Sequence, residues 1–204
     1  MCSAPVVAAI ILAAGRGARF SADENKLLAP LDGQPLLRHV AETALASRAS
    51  RVVVVTGHRQ HDVAAALAGL PVSYAHNMDF ASGLASSLRI GLAAAEQADG
   101  VLILLGDMPA VSTPVLDALM TAFEAAPHCA AVVPVCQGVR GNPVLLTRAL
   151  FPQLAQLRGD EGARRLLRSV EGVVELPIDD PSILADVDTP ADLARLTRSR
   201  YSRS

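Results

Sequence analysis

The sequence contains 204 residues, of which 51% are hydrophobic and only 3% are aromatic. Its 18 basic and 20 acidic residues give a net charge of −2, whereas nucleic-acid-binding proteins usually carry a basic excess. The length fits one α/β domain, and the scarcity of aromatic side chains disfavours a surface that stacks on bases. We therefore expect one domain over residues 1–204, no nucleic-acid partner, and a frayed basic tail at 195–204.

Apolar runs alternate with amphipathic segments from the start of the chain, a pattern typical of a buried, mainly parallel sheet covered on both faces. Strands are predicted at Pro5–Leu12, Arg51–Thr56, Val72–His76 and Gly100–Leu105, and helices at Pro35–Ser47, Gln60–Ala68, Leu84–Gln97 and Thr113–Ala125. The second half is predicted to add strands at Ala130–Val135, Pro143–Leu146 and Val173–Pro177, and helices at Asp160–Val170 and from Thr189 onward. The first two of these late strands are expected to form a hairpin-like excursion. The fold class that follows is a three-layer α/β/α domain with a mostly parallel, Rossmann-like sheet.

The cysteines and the first apolar run indicate where in the cell the protein is expected. Cys2, Cys129 and Cys136 are odd in number and have no metal-binding or CxxC spacing, as expected for reduced thiols. The apolar stretch from Val6 to Ala14 is too short to span a bilayer and lacks a basic segment before it. We expect a cytoplasmic protein that does not contact a membrane.

The first strand leads into a loop of small residues and arginines at 12–19, with the sequence LAAGRGAR. Small residues let the backbone approach a ligand closely, and guanidinium groups match phosphate oxygens. The loop does not complete a GxGxxG pattern, since Phe20 stands at the third glycine position, and no Walker motif is present. An ordinary tight turn with surface arginines explains the glycines equally well.

The stretch from Leu12 to Leu28 resembles the signature of the MobA-like nucleotidyltransferases: Leu-Ala-Ala-Gly, small residues, an arginine, and then a lysine followed by leucines. Phe20-Ser21 replaces the Met-Gly pair usual after the arginine. The resemblance implies a Rossmann-like nucleotidyltransferase fold in which the loop backbone binds a nucleotide. The implied nucleotide-binding residues are Leu12, Ala13, Ala14, Gly15, Arg19 and Lys26, with Arg19 and Lys26 neutralising the phosphates.

Three aspartates follow predicted strands or stand in extended segments. Asp107 comes just after the Gly100–Leu105 strand, at the sheet edge where open α/β folds bind ligands. Asp186 and Asp188 are two residues apart and therefore point to one face of an extended segment. Asp188 alternatively caps the last helix. Gly-Asp-Met-Pro and Asp-x-Asp-Thr-Pro also recur in the MobA-like family. That resemblance implies Mg²⁺ ligands at Asp107 and Asp188, with Asp186 next in line, and a catalytic set of Arg19, Lys26 and Asp107.

The serine-rich segment at 77–88 suggests which branch of the family is involved. Its composition fits a routine helix start, but it also resembles the Gly-Met-Ser-Ser-Ser-Leu stretch of the molybdenum cofactor cytidylyltransferases. Ser86 and Ser87 would then contact the nucleotide. Two later loops resemble that branch's acceptor loops, which implies acceptor-binding residues at Arg140, Gly141, Asn142, Asp160 and Arg164.

The implied reaction transfers CMP from CTP to molybdopterin carrying its metal, with Mg²⁺ as cofactor and pyrophosphate as product. Molybdoenzymes or their maturation chaperones would be partners. Three alternatives stay open: a guanylyltransferase that uses GTP, an oxidoreductase that uses a flavin or NAD(P) on the same fold, and a carrier that binds nucleotides without catalysis. None of the five histidines is assigned a role.

Overall fold

Strands and helices alternate along the chain, in a computed structural model that describes residues 4–15 and 25–201. The strands are β1 (Val7–Ala13), β2 (Pro30–Leu31), β3 (Gln34–Pro35), β4 (Arg51–Thr56), β5 (Ser73–His76), β6 (Gly100–Leu105), β7 (Ala131–Cys136), β8 (Val139–Arg140), β9 (Val144–Thr147) and β10 (Val173–Pro177). The helices are α1 (Leu36–Leu45), α2 (Gln60–Ala66), α3 (Leu84–Ala94), α4 (Thr113–Ala125), α5 (Phe151–Leu154), α6 (Ala163–Leu166) and α7 (Pro190–Tyr201). Short 3-10 helices lie at Lys26–Leu28, Phe80–Ser82, Arg148–Leu150 and Pro181–Leu184.

The main sheet has the strand order β10-β7-β9-β6-β1-β4-β5, and β8 pairs with β7. Six strands run in the same direction, namely β1, β4, β5, β6, β7 and β10, while β8 and β9 run antiparallel to their neighbours. The carboxyl ends of the six parallel strands therefore share one edge of the sheet. This arrangement confirms the expected mostly parallel α/β fold.

The core lies on both faces of the sheet. Strand β1 is central because its run VAAIILA is buried on both sides, with only Leu12 partly exposed. Apolar side chains of α1, α2 and α4 pack on one face, and those of α3, α5 and α6 pack on the other. A smaller cluster around Leu31, Leu36 and Val187 fixes α7 beside β2 and α1. Helices on both faces leave the edge formed by the strand ends for ligands.

The region after Pro127 departs in part from the predicted elements. Strands β8 and β9 pair antiparallel with β7, as expected for a hairpin, but β9 stays in the main sheet between β6 and β7, where Val144, Leu145 and Leu146 are buried. The helix predicted at Asp160–Val170 is reduced to the single turn α6, after which the backbone continues in i→i+3 turns. The helix α5 was not predicted.

Helix α7 begins at Pro190, as expected for a proline at the first helical position. It extends to Tyr201 and so includes most of the segment predicted to be a frayed tail. Within residues 4–15 and 25–201, no helix combines the length and the hydrophobicity needed to cross a membrane.

Candidate active site

Two aspartate-bearing segments meet at the carboxyl edge of the sheet. Asp107 follows β6, and the segment with Asp186 and Asp188 precedes α7. The backbone N–H of Val187 donates a 2.9 Å hydrogen bond to the carbonyl oxygen of Asp107, which fixes the segments side by side. One carboxylate oxygen from each of the three aspartates lies within 4.8 Å of the others. The cluster predicted from two separate motifs is therefore assembled by the fold.

The start of α7 is capped by residues other than Asp188. The Oδ2 atom of Asp192 accepts hydrogen bonds from the Thr189 backbone N–H at 2.9 Å and from the Thr189 hydroxyl at 2.7 Å. The Asp192 N–H donates to Thr189 Oγ1 at 3.2 Å, which completes a reciprocal capping arrangement. Hydrogen bonding by the Thr189 hydroxyl lowers the pKa of Asp192. Thr189 and Asp192 thus form the cap that Asp188 was alternatively expected to supply, and Asp188 contacts Lys26 instead.

Lys26 joins the cluster from a 3-10 turn. Asn25 caps this turn by accepting a hydrogen bond from the Leu27 N–H, and the buried Leu27 anchors it in the core. Lys26 Nζ lies 2.5 Å from Asp107 Oδ2 and 2.7 Å from Asp188 Oδ1. Burial alone would lower the pKa of Lys26, but the charges and hydrogen bonds of Asp107 and Asp188 outweigh it and raise that pKa above its ordinary value of 10.5.

The carboxylate cluster fits a divalent cation. Among the described residues, Lys26 places one ammonium group against this cluster of three carboxylates. The other oxygen of Asp107, Oδ1, is buried and has no hydrogen-bond partner among the described residues. An unpaired buried carboxylate oxygen is unfavourable unless a cation or donor satisfies it. Carboxylate oxygens are the ligands preferred by hard cations such as Mg²⁺ and Mn²⁺. Asp107, Asp186 and Asp188 are the residues that would hold the ion.

A cavity of about 610 Å³ opens on one side of the aspartates. Its wall includes five of the predicted nucleotide-binding residues, Leu12, Ala14, Gly15, Lys26 and Ser87, and the two predicted metal ligands, Asp107 and Asp188. Ala13 is buried in the core. Ala14 packs closely against Gly57, where an added Cβ would lie 2.8 Å from the Ala14 Cβ, and the His58 N–H donates to the Ala14 carbonyl oxygen at 3.1 Å. Arg19 lies outside the described residues.

A second cavity of about 510 Å³ lies against the first, and both share Leu12, Leu84 and Leu105 in their walls. Asp186 lines this second cavity, whereas Asp107 and Asp188 line the first. The carboxylate cluster therefore stands at the boundary between the two cavities. A cation held there would touch the contents of both.

The predicted acceptor-binding residues divide between the cavities. Arg140, Asn142 and Arg164 line the second cavity, and Gly141 lines a smaller adjoining one. Asp160, predicted on the acceptor side, instead lines the first cavity. Its position follows from Gly83 and Gly159, whose backbones touch so closely that a Cβ on Gly83 would overlap the Gly159 carbonyl group.

The loop with Arg140 is fixed to the aspartate segment. The Asn142 N–H donates to the Ile183 carbonyl oxygen at 2.8 Å, and Gly141 lies so close that a Cβ would overlap the same oxygen. Arg140 Nε donates to Glu175 at 2.7 Å, and its Nη1 donates to the Leu167 carbonyl at 3.0 Å. The arginine is thus held in one orientation at the wall of the second cavity.

The two serines of the 77–88 segment have different surroundings. Asn77 is 2% exposed and its Nδ2 donates to Ser86 Oγ at 2.8 Å and to Ser87 Oγ at 3.0 Å. The Ser86 hydroxyl lies within 3.0 Å of the Asp79 and Gly83 carbonyl oxygens, so it stabilises the loop before α3. Ser87 lines the first cavity, whereas Ser86 does not. Sequence analysis did not identify Asn77; its position directly after β5, at the ligand edge, was the available signal.

Comparison with known proteins places the chain in a family. Residues 9–174 match the MobA-like NTP transferase domain. The chain is 32% identical to the nicotine blue oxidoreductase of Paenarthrobacter nicotinovorans, an alignment that covers 94% of this chain and 97% of that protein. It is 34% identical to the purine catabolism protein PucB of Bacillus subtilis, covering 96% and 98% respectively. A manganese complex of Rv0371c from Mycobacterium tuberculosis superposes with a TM-score of 0.80 at 28% identity, covering 95% of this chain and 99% of that one. The chain belongs to the MobA-like NTP transferase family of nucleotidyltransferases.

Proposed function

We propose that this nucleotidyltransferase transfers CMP from CTP to the phosphate of molybdopterin carrying its metal, and that it requires Mg²⁺. The observation that carries the proposal is the position of Asp107, Asp186 and Asp188 between two adjoining cavities. A nucleotide in the first cavity and a phosphorylated acceptor in the second would bring their phosphates together at these carboxylates.

The reaction would proceed by direct attack. An oxygen of the acceptor phosphate forms a bond to the α-phosphorus of CTP, while the bond from that phosphorus to the oxygen leading to the β-phosphate breaks. Pyrophosphate leaves with the electron pair of the broken bond. Because the attacking phosphate is already ionised at neutral pH, no general base is required. Catalysis then rests on alignment and on neutralisation of charge.

Each residue of the first cavity would have a defined task. Asp107 and Asp188, together with Asp186, would hold Mg²⁺, which when bound would neutralise charge on the reacting phosphates. Lys26 would pair with the phosphates of the nucleotide, and Arg19 is proposed for the same role. The backbone around Ala14 and Gly15 would contact the nucleotide directly, since small side chains permit close approach.

The preference for CTP depends on the 77–88 segment. Its resemblance to the cytidylyltransferase branch supports cytosine, and Ser87 is the serine that lines the nucleotide cavity. Asn77 and Ser86 would support this contact by fixing the loop rather than by touching the base. GTP is the alternative donor, and a guanylyltransferase would use the same metal site and the same chemistry.

The second cavity suits a pterin acceptor. Its wall combines apolar side chains such as Leu88, Ile103 and Met108 with the polar groups of Arg140 and Asn142. Apolar walls favour a flat ring system, and a few polar groups orient its edge. Molybdoenzymes or their maturation chaperones would then receive the product.

Pyrophosphate release tests the proposal. The chain is assayed with Mg²⁺ or Mn²⁺ and with CTP, GTP, ATP or UTP in turn, with and without metal-loaded molybdopterin. We expect release with CTP that depends on the pterin. Pterin-dependent release with GTP but not with CTP would make GTP the nucleotide donor. Release with none of the four nucleotides would overturn the proposed activity.

A second candidate is an oxidoreductase, because a relative that is 32% identical over nearly the whole chain is named nicotine blue oxidoreductase. The same sheet edge can bind a dinucleotide cofactor. The purified protein would then show a flavin absorption band or would oxidise NADH or NADPH with a dye acceptor. The three clustered carboxylates favour the transferase, since hydride transfer does not require a cluster of carboxylates. Binding of CTP without any pyrophosphate release would instead indicate a carrier.

A further inference from the structure

Lys26 is the only lysine of the chain, whose other basic residues are all arginines. Its ammonium group lies between Asp107 and Asp188, at 2.5 Å and 2.7 Å from their oxygens. We propose that Lys26 is an exchangeable internal cation. It occupies the place of the divalent ion when the nucleotide is absent, and it leaves when the nucleotide phosphates and the ion enter together. This inference rests on the proposed metal role of the aspartates.

The geometry makes the two cations compete. Lys26 Nζ already contacts one oxygen of Asp107 and one of Asp188, so a divalent ion held by the same two carboxylates would lie beside the ammonium, and two like charges at one partly buried site repel each other strongly. The side chains of Lys26 and Asp107 are only 14% and 17% exposed, so solvent screens this repulsion weakly. The ion should therefore bind more tightly once the lysine has left the carboxylates.

The nucleotide supplies the lysine with another partner. Lys26 lines the first cavity together with the loop backbone at Ala14 and Gly15, so its side chain lies within reach of phosphates bound there. When phosphates accept the ammonium, its contacts with Asp107 Oδ2 and Asp188 Oδ1 are released. Nucleotide and metal should therefore bind cooperatively, and each should raise the affinity of the other by the same factor.

The choice of lysine at this position supports exchange. An arginine would bind two carboxylates with a rigid, bidentate fork and would be held in place. An ammonium is compact, strongly hydrated and carried on a flexible stem, which suits a group that moves between partners.

The test is a titration with Mn²⁺ in the absence of nucleotide, in which free Mn²⁺ is measured by electron paramagnetic resonance. We expect Lys26→Met to bind Mn²⁺ about tenfold more tightly than the wild type, within the roughly 5- to 150-fold range typical of coupled sites. Adding CTP should tighten Mn²⁺ binding in the wild type and should do so much less in Lys26→Met. Equal or weaker binding by Lys26→Met without nucleotide would overturn the exchange.

Two controls separate the possible causes. Lys26→Arg keeps the charge and should bind Mn²⁺ no more tightly than the wild type. Arg51→Met removes one positive charge at the start of β4, at the opposite edge of the sheet, and should leave the affinity unchanged. If Arg51→Met tightens Mn²⁺ binding as much as Lys26→Met, net charge explains the effect and the exchange is wrong. If neither the wild type nor Lys26→Met binds Mn²⁺, with or without CTP, then the metal site of the proposed function is wrong. The exchange, which depends on that site, would be wrong as well.

A labelling experiment covers the case in which Lys26→Met does not fold. Reductive methylation with ¹³C-formaldehyde modifies the amino terminus and, because the chain has a single lysine, only one side-chain amine. The Lys26 resonance should shift when CTP and Mg²⁺ are added together. A resonance that stays unchanged at saturating CTP and Mg²⁺ would contradict the exchange.

Discussion

Val187 donates its backbone N–H to the carbonyl oxygen of Asp107 at 2.9 Å, and this bond joins the end of β6 to the segment that leads into α7. The side chains on either side of Val187, those of Asp186 and Asp188, thereby reach the carboxylate of Asp107. Val187 itself is buried with Leu31 and Leu36, so the segment is anchored from below. The arrangement of the three carboxylates follows from the packing of this segment.

Removal of the Asp107 charge is the first prediction. Asp107→Asn keeps the shape of the side chain but removes the negative charge that pairs with Lys26 and that we propose binds the metal. We expect turnover to fall by about 10²–10³, as for the loss of one group that stabilises charge in a transition state. Pyrophosphate release at saturating Mg²⁺ is the measurement. Asp179→Asn, an exposed carboxylate before the same aspartate segment, serves as control and should keep normal turnover. Normal turnover in Asp107→Asn would exclude it from the site.

The adjacent serines should respond differently to substitution. Ser86→Ala removes a buried hydroxyl that bonds Asn77 and two carbonyl oxygens, so we expect the free energy of unfolding to fall by about 1–3 kcal/mol. Ser87→Ala should chiefly raise the KM for the nucleotide, because Ser87 lines the first cavity, which we propose binds the nucleotide. Urea unfolding and initial rates separate the two effects. A higher KM in Ser86→Ala with unchanged stability would reverse the assignment.

Gly83 should tolerate alanine less well than Gly69 does. Both have a positive φ, 104° and 83°, which alone makes alanine unfavourable by about 1–2 kcal/mol. Space around Gly69 is open, whereas a Cβ on Gly83 would overlap the backbone of Gly159. Gly83→Ala should therefore lose more stability in urea unfolding than Gly69→Ala. Equal losses of stability in the two variants would contradict this prediction, because they would show that the loop at 159–160 moves to accommodate the added Cβ at little cost.

Much of the fold was predictable because its strands are continuous aliphatic runs. Arg51–Thr56 and Gly100–Leu105 were predicted with the bounds that the structure has, since each run is bounded by polar or small residues. The shortening of helix α6 could not be predicted: its apolar side chains pack on the core at the helical spacing, but the backbone after it changes to i→i+3 turns, which apolar spacing does not reveal. The central position of β9 depends on its pairing with β6, which is distant in sequence.

The site was predictable in its parts but not in its arrangement. Asp107, Asp188 and Lys26 were identified from separate motifs, while their mutual ion pairs depend on tertiary packing. Sequence spacing cannot show that Ser87 lines a cavity and Ser86 does not, because the orientation of a helix start is set by its cap and by Asn77. The location of Asp160 depends on the close contact between Gly83 and Gly159.

The fate of each phosphate of CTP tests the central claim most directly. CTP labelled at the α-phosphate and, in a parallel reaction, at the γ-phosphate is incubated with the protein, Mg²⁺ and metal-loaded molybdopterin. Nucleotidyl transfer at the boundary of the two cavities predicts that the α-label appears in the pterin product and the γ-label in pyrophosphate. A γ-label on the pterin, or an α-label that never leaves CTP while the pterin is intact and bound, would contradict it.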